Sequence, residues 1–411
     1  MFVDADICGL KVGDEHPVRI MGVINLSQES FYKPSVVNID SILEKAHNMV
    51  DSGAAIIDIG ARSTWMLAKP VISKEEEMQR LLPALEILND NVDALISVDT
   101  MFADIAEKAL ELGADMINDV SGFKADNRML DVVVAHGCPA VAMATDKVPG
   151  DPIGMDAIMN SLSRIIIDAD GKGMDTSKLI LDPAIGKWIA EKIPIYDFEI
   201  IDKFERLKIF QKPLLAAISR KSCIDAVLHK PAEERLYGTL AATAIVVHKG
   251  AHIIRTHDVP QTMDVVKVAA AMRSRHPVVK ESGFEVSALD FRDLEDAVMT
   301  MNNMGVTGTG AKIMKKKCIF RVLKISNITT TEALIIKQEI LARGGDAALE
   351  RNAVSHETER TDILVMGTIL QLEKLAKKLE CQARNLPLIS RMIMDALHLD
   401  DNVEYRYLRE L

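Results

Sequence analysis

Five cysteines are all that the 411 residues contain, and Cys8, Cys138, Cys223, Cys318 and Cys381 are widely scattered and never in C-x-x-C spacing. An odd, dispersed set argues against a disulfide framework and a thiolate zinc site, and fits a reducing compartment. Proline and glycine are sparse, at 14 and 22 residues, which excludes a collagen-like or largely disordered chain. Basic residues are outnumbered, 49 Lys plus Arg against 60 Asp plus Glu, for a net charge of -11. Non-specific binding to nucleic acid or an anionic membrane therefore lacks its usual electrostatic drive, although a local basic pocket would still suit a phosphorylated small molecule. No uncharged run approaches the length of a bilayer span, and Met1 is followed by Phe2, Val3, Asp4, Ala5 and Asp6 rather than by a basic and then apolar leader. The expectation is a soluble cytoplasmic protein whose partners are small molecules, with neither nucleic acid nor membrane among them.

Hydrophobic residues make up 48% and charged residues 27% of the chain, the profile of a folded globular protein. The length is about 2.7 times a soft prior of roughly 150 residues per domain, so one large and one small domain are expected. From about residue 18 to about residue 275, short β-branched runs alternate with amphipathic stretches. Eight candidate strands span 18–25, 55–61, 94–100, 115–121, 139–145, 178–185, 213–219 and 251–258. Helix-like segments fill 40–52, 74–90, 103–113, 127–137, 155–173, 196–210 and 232–249, and another follows at 261–274. Ser73 and Glu76 have capping-box spacing, and Gly53, Gly113, Gly137 and Gly250 stand where helices hand over to strands.

Eight βα units in this length predict an α/β fold, a closed (β/α)8 TIM barrel. The rival, an open doubly wound sheet, lacks its G-x-G-x-x-G turn after the first strand. The barrel is assigned to residues 1–280, a connector to 281–314 and a small α/β C-terminal domain to 315–411. Gly305, Gly308 and Gly310 read as flexible linker ahead of Lys315, Lys316 and Lys317, since the spacing of a phosphate loop is missing. The C-terminal segment reads as a βαββαα unit with Leu334, Ile335, Gln338 and Leu341 as a core-facing helix stripe, and a packing or assembly role is assigned to it.

A barrel places its chemistry at the carboxyl ends of its strands. Asn25, Asp58, Asp99, Asn118, Asp182, Lys221, Arg255 and His257 all fall at or just beyond predicted strand ends. One such residue is more often a cap or turn residue; eight together point to a site. The two-residue period puts Arg255 and His257 on one face, as a paired donor for an anion, with an Arg255 salt bridge to a barrel-end carboxylate an even alternative. Asn25, on the neighbouring first strand, has a carbonyl oxygen suited to a hard cation such as Mg²⁺ bridging phosphates. Asp99, Asn118, Asp182 and Lys221 suit a flat heterocycle with an N–H/NH2 edge and a ring carbonyl. A metal or general-base role for the carboxylates stays open.

The runs 21–31 (MGVINLSQESF), 58–64 (DIGARST), 97–100 (SVDT), 117–119 (IND), 181–183 (LDP), 219–222 (SRKS) and 255–258 (RTHD) resemble dihydropteroate synthase, over about residues 18–275 and in family order. The resemblance implies a TIM barrel of the pterin-binding superfamily and a transferase. That enzyme joins 6-hydroxymethyl-7,8-dihydropterin diphosphate to an arylamine with release of pyrophosphate, in folate or methanopterin biosynthesis. It implies Asp99, Asn118, Asp182 and Lys221 as pterin contacts and Asn25, Thr64, Arg255 and His257 as diphosphate contacts. Lys221, Arg255 and His257 would be the catalytic residues, with Mg²⁺ at Asn25, and a homodimer is left open. Two other readings belong to the same superfamily: a methylpterin-dependent corrinoid methyltransferase and a non-catalytic pterin-binding subunit. Neither needs an anion site.

The chain departs from the family pattern in three places. Ser27-Gln28-Glu29-Ser30-Phe31 replaces Thr-Pro-Asp-Ser-Phe, Trp65-Met66 replaces Arg-Pro, and Asp182-Pro183-Ala184-Ile185-Gly186-Lys187 replaces D-P-G-x-G-F. These loops concern the arylamine side. They raise the expectation of a bulkier acceptor than 4-aminobenzoate, such as a ribofuranosyl-aminobenzene phosphate, with Trp65 stacking on its ring and Lys69, Lys187 or Lys192 meeting its phosphate. Ordinary loop drift with 4-aminobenzoate retained is the even alternative. The C-terminal runs 336–347 and 361–368 resemble a small domain that accompanies some synthases of the family, usually ahead of the barrel.

Overall fold

The computed structural model describes residues 3–27, 41–62, 72–273, 278–291, 293–354 and 357–397. The chain opens with an antiparallel hairpin of β1 (Asp4–Ile7) and β2 (Leu10–Gly13). Eight parallel strands follow: β3 (Arg19–Asn25), β4 (Ala54–Gly60), β5 (Leu95–Asp99), β6 (Met116–Asp119), β7 (Ala140–Met143), β8 (Leu179–Asp182), β9 (Leu215–Ala216) and β10 (Ile253–Thr256). Their order is β8-β7-β6-β5-β4-β3-β10-β9, and a parallel bridge from Leu181 to Leu214 brings β8 against β9. This is the (β/α)8 barrel that the alternation of runs predicts. Helices α1 (Ile42–Asp51), α2 (Lys74–Asn91), α3 (Ala103–Glu111), α4 (Met129–His136), α5 (Met155–Gly171), α6 (Pro194–Asp202), α7 (Ser222–Leu228), α8 (Leu236–His248) and α9 (Val259–Met272) connect the strands or follow the last.

The barrel interior is layered by the two-residue period of its strands. Met21, Ile56, Met116, Val141, Ile180, Leu215 and Ile253 form one buried apolar cluster, joined from the hairpin by Ile7 and Val12. Two residues further along the same strands stand Asp58, Asn118, Asp182 and Arg255, which therefore point inward at the next level up. The apolar floor and the polar mouth follow from one alternation.

Several boundaries differ from the sequence expectation. The seventh strand, expected over 213–219, pairs only at Leu215–Ala216: Pro213 has no N–H to give the ladder, and a turn begins at Ser219. The segment read as 196–210 divides into α6, which starts early because Pro194 suits the first helical turn, and a 3₁₀ stretch Phe204–Phe210. Helix α7 and the opening hairpin were not anticipated. Of the Ser73/Glu76 pair, Ser73 Oγ accepts the Glu76 N–H, while the Glu76 carboxylate pairs with Arg80.

The described residues fall into two compact units, the first reaching Ser287 and the second beginning at Ala288. The stretch 281–314 is not a featureless connector. Strand β11 (Val278–Glu281) pairs with β12 (Phe284–Ser287), α10 (Leu294–Asn303) is capped by Asp293, and α11 (Gly308–Met314) is capped by Thr307, whose Oγ1 accepts the Gly310 N–H. The cap recruits Gly308 and Gly310 into a first helical turn, which overrides their preference for linker.

The second unit continues with β13 (Phe320–Thr329), α12 (Thr330–Leu341), β14 (Asp346–Leu349), α13 (Arg351–Val354), β15 (Arg360–Thr368), α14 (Ile369–Leu379) and α15 (Leu386–Leu397). Its antiparallel sheet runs β13-β15-β14. Capping boxes at Thr329/Glu332 and Thr368/Gln371 start α12 and α14. The buried stripe of α12 is Ala333, Ile336 and Ile340, with Ile335, as expected, partly buried against the same core, whereas the expected Leu334, Gln338 and Leu341 are not part of it. Leu341 is half exposed, at 48%, because the 3-4 spacing that meets the sheet runs through 333, 336 and 340. Among the described residues no helix is long and apolar enough to cross a membrane.

Every barrel strand lies within the first unit. Residues 1–287 expressed alone are therefore expected to show a single cooperative thermal transition by circular dichroism. Helical signal without a cooperative transition would show instead that the barrel depends on residues beyond Ser287.

Candidate active site

A cavity of about 490 Å³ opens at the carboxyl ends of the strands and is lined, among others, by Asn25, Asp99, Asn118, Asp182, Lys221, Arg255 and His257. Seven of the sequence-predicted site residues thus share one cavity. Thr64 lies outside the described residues, as do Gln28, Glu29, Trp65, Met66 and Lys69.

Arg255 stands between two carboxylates. Its Nε donates to Asp58 Oδ2 and its Nη2 to Asp99 Oδ2, both at 2.7 Å. Asp58, fully buried, also accepts from Ser97 Oγ at 2.6 Å and from Asn118 Nδ2 at 3.2 Å. Burial works against the Arg255 charge, but Asp58 and Asp99 outweigh it and hold the guanidinium protonated above its ordinary range. Two carboxylates on one cation leave a negative charge in excess. Burial, reinforced by Asp58, Glu77 and Asp119 against the pull of Arg255, raises the Asp99 carboxyl to about 7. Both the salt bridge and the place at the cavity that were weighed for Arg255 are present, and the bridge reaches Asp58 and Asp99. Asp258 is taken by Arg220, whose Nε and Nη2 donate to its two oxygens at 2.8 and 2.7 Å.

His257 follows β10. Ser219 Oγ lies 2.9 Å from its Nδ1 and accepts its backbone N–H at 3.3 Å. Burial, helped by the cations Arg255, Lys45, Lys221 and Arg220, lowers the imidazole to about 3, so the ring is neutral near pH 7. Across the mouth, Asp182 Oδ1 accepts the Ala184 N–H at 2.7 Å, and burial raises its carboxyl against the opposing Lys221. Lys221 is lowered by burial and supported by Asp182. Its Nζ stands 4.8 Å from the centre of the Trp188 ring, a cation–π contact that the sequence did not signal. Arg62 also lines the cavity, packed on Phe102 and paired with buried Glu77. Asn25 Oδ1 accepts the Ser27 N–H at 2.9 Å, which uses one of its two lone pairs.

Lys192 and Cys223 stand apart from the chemistry of the cavity. Lys192, a candidate phosphate contact, has no exposed side-chain surface and does not line the cavity; Lys187 does. The Cys223 thiol is fully buried and pushed upward, chiefly by burial, so it is no nucleophile. Among the described residues no group of three His, Cys, Asp or Glu side chains could hold a metal ion.

The mouth therefore offers carboxylates and amides on one side and guanidinium, imidazole and ammonium donors beside them. The family model described as pterin binding enzyme matches residues 21–257. The chain belongs to that family. It is 36% identical over 251 residues to the dihydropteroate synthase of Clostridium beijerinckii, covering 61% of this chain and 92% of that one. The dihydropteroate synthase of Coxiella burnetii, solved with pteroic acid, superposes with a TM-score of 0.59 at 32% identity, covering 66% of this chain and 99% of that one. The Xanthomonas albilineans dihydropteroate synthase with 4-aminobenzoic acid gives 0.59 at 28% identity, over 67% and 100%. The first unit is accordingly a dihydropteroate synthase-type pterin-binding domain, and the protein is a transferase.

A histidine whose native pKa lies below its ordinary 6.5 takes up its proton in the unfolded chain first. Between about pH 6.5 and about pH 3, stability then rises with pH: the contribution is complete above 6.5 and is lost as pH falls. In urea titrations at a series of pH values, His257→Gln is expected to lose less stability than the parent between pH 7 and pH 4. Carboxylate effects cancel in that difference. Parallel curves would mean that His257 keeps an ordinary pKa.

Proposed function

We propose that the protein joins 6-hydroxymethyl-7,8-dihydropterin diphosphate to an arylamine, as a dihydropteroate synthase of folate synthesis. The observation that carries this reading is the convergence of Asp182, Asn118 and Lys221 with Arg255 and His257 in one cavity of a chain from this family. The pterin N–H/NH2 edge pairs with Asp182, whose carboxylate has lone pairs beyond its Ala184 bond, and Lys221 and Asn118 meet the ring carbonyl and nitrogens. The diphosphate lies toward Arg255 and the neutral His257, and the family pattern adds Thr64, which lies outside the described residues.

In the reaction the bond from the pterin methylene to the diphosphate oxygen breaks and its electron pair leaves with pyrophosphate. The amine lone pair forms the new C–N bond, and the amine proton departs to solvent or to the leaving group. Donors fixed around the leaving anion are stabilising at the moment its charge grows, without reorganisation. Lys221, near the forming cation, is kept from adding repulsion by Asp182 beside it. Asn25 would hold Mg²⁺ through its amide oxygen, which keeps one lone pair beyond its Ser27 bond. The metal would supply further neutralisation of the leaving group's charge.

For the acceptor, 4-aminobenzoate is the reading supported by the Xanthomonas neighbour. The bulkier phosphate-bearing aniline of methanopterin synthesis has lost Lys192 as a partner; what still favours it is Lys187 at the cavity where the family pattern has an aromatic residue.

Asp182→Asn is expected to weaken pterin binding by about tenfold or more, because a charge-assisted hydrogen bond is worth roughly 1.5–3 kcal/mol; calorimetric titration with 6-hydroxymethylpterin measures it. Arg255→Ala and His257→Ala should spare that affinity more than affinity for pyrophosphate. Equal losses for both ligands would make the two residues structural and overturn the partition of the site.

Comparison of kcat/KM for 4-aminobenzoate and the ribofuranosyl-aminobenzene phosphate is expected to favour 4-aminobenzoate. A preference for the phosphate would instead assign Lys187 to the acceptor.

A further inference from the structure

The loop after β8 carries features that substrate contact leaves unexplained. Ala184 sits at φ +62° and Gly186 at φ +121°, and Ala184 stands where the family pattern D-P-G-x-G-F has glycine. A residue with a Cβ stays in the left-handed region only where its surroundings hold it. Here the holder is Lys192, one of the largest fully buried side chains among the described residues. Its Nζ donates to the Ala184 carbonyl and lies 3.8 Å from Asp197 Oδ1. That same oxygen accepts the Gly186 N–H at 2.8 Å. A single buried ion pair thus grips the loop on both sides of Ile185.

Burying an ammonium and a carboxylate is a costly way to stabilise a loop, since apolar side chains of similar size generally do as well or better. The pair is accounted for if position is what it secures. The Ala184 N–H held in this conformation is the donor to Asp182 Oδ1. At Gly186, a Cβ would come within 3.1 Å of Lys221 Nζ, so the path of the backbone there decides where that ammonium can lie.

We propose that Lys192 and Asp197 are positioning residues, an internal clamp that keeps Ala184 in its left-handed conformation and thereby sets Asp182 and Lys221 for the pterin edge. The inference rests on the reading that those two residues hold pterin, and it assigns Lys192 a part remote from any acceptor phosphate.

The test uses the full chain, 6-hydroxymethylpterin and pyrophosphate as separate calorimetric probes, and thermal denaturation. Lys192→Met is expected to weaken pterin binding by roughly tenfold, with pyrophosphate affinity little changed and Tm lowered by the unpaired buried carboxylate. In Lys192→Met/Asp197→Leu the uncompensated charge is gone, so Tm should return toward the parent while pterin affinity stays low. Adding Ala184→Gly to that double variant should recover part of the affinity, because glycine enters the left-handed region unaided. Parent-like pterin affinity in the double variant would overturn the clamp and leave a packing role, and so would absence of any gain from Ala184→Gly. Asp182→Asn separates the two layers of the argument. If it binds pterin as tightly as the parent, the pterin reading falls and the clamp with it; if it is weakened while the clamp variants are not, the clamp alone falls.

Discussion

Arg255 decides the arrangement of the barrel mouth. From β10 its guanidinium reaches past β3 to Asp58 on β4 and Asp99 on β5, so one side chain ties together ends of strands separated by up to 197 residues in sequence. The tie requires two acceptors within reach of one guanidinium, and the register supplies them two residues apart: Asp58 lies opposite Ser97, and Gly60 opposite Asp99. Gly60 also has to be small, since a Cβ there would stand 3.2 Å from Asp99 Cβ. Asp58 is sealed beneath by Ser97 and Asn118, which gives a buried charge the hydrogen bonds it needs. Without that network a buried carboxylate and guanidinium would destabilise the mouth they now organise.

This architecture was legible in the sequence wherever it depended on local period. The alternation of apolar runs with amphipathic stretches marked the eight βα units, and the two-residue period placed Asp58, Asn118, Asp182 and Arg255 above an apolar layer. What the period cannot carry is partner choice. That Arg255 takes Asp58 and Asp99 while Asp258 goes to Arg220 is fixed by strand order and register. Residue type misled in the other direction at Lys192, which reads as a contact for an acceptor phosphate and is buried away from the cavity, and at Gly308 and Gly310, which read as linker and are helical because Thr307 caps them. The departures at Gln28, Glu29, Trp65 and Met66 fall on residues outside the described structure, so the third, at Ala184 and Lys187, carries the structural argument about loop change.

That departure shows how a local penalty is offset by distant groups. Replacing glycine by alanine at a left-handed position costs roughly 1 kcal/mol or more. The compensation comes from α6, through Asp197, and from the approach to it, through Lys192. Beside it, Trp188 packs over Gly150, where a Cβ would lie 2.2 Å from its Cγ, and presents its ring to Lys221. The loop thus departs from the family pattern while Lys221 stays beside Asp182, so changes of sequence there need not alter the pairing of those two groups at the cavity.

On the proposed function, the charge balance bears on how a diphosphate leaving group would be received. Arg255 is already compensated by Asp58 and Asp99, so its formal charge overstates what a diphosphate would feel. The imidazole of His257 is kept from protonating chiefly by burial, and then by Arg255, Lys45, Lys221 and Arg220. Those four cations favour an anion beside it, whereas burial alone would not. The imidazole gains by staying neutral, since it then provides a hydrogen-bond donor without adding another buried charge that would need its own partner. On that reading, the negative charge carried off by pyrophosphate would be met by cations spread over several strand ends, with the carboxylates Asp58 and Asp99 holding Arg255 in place among them.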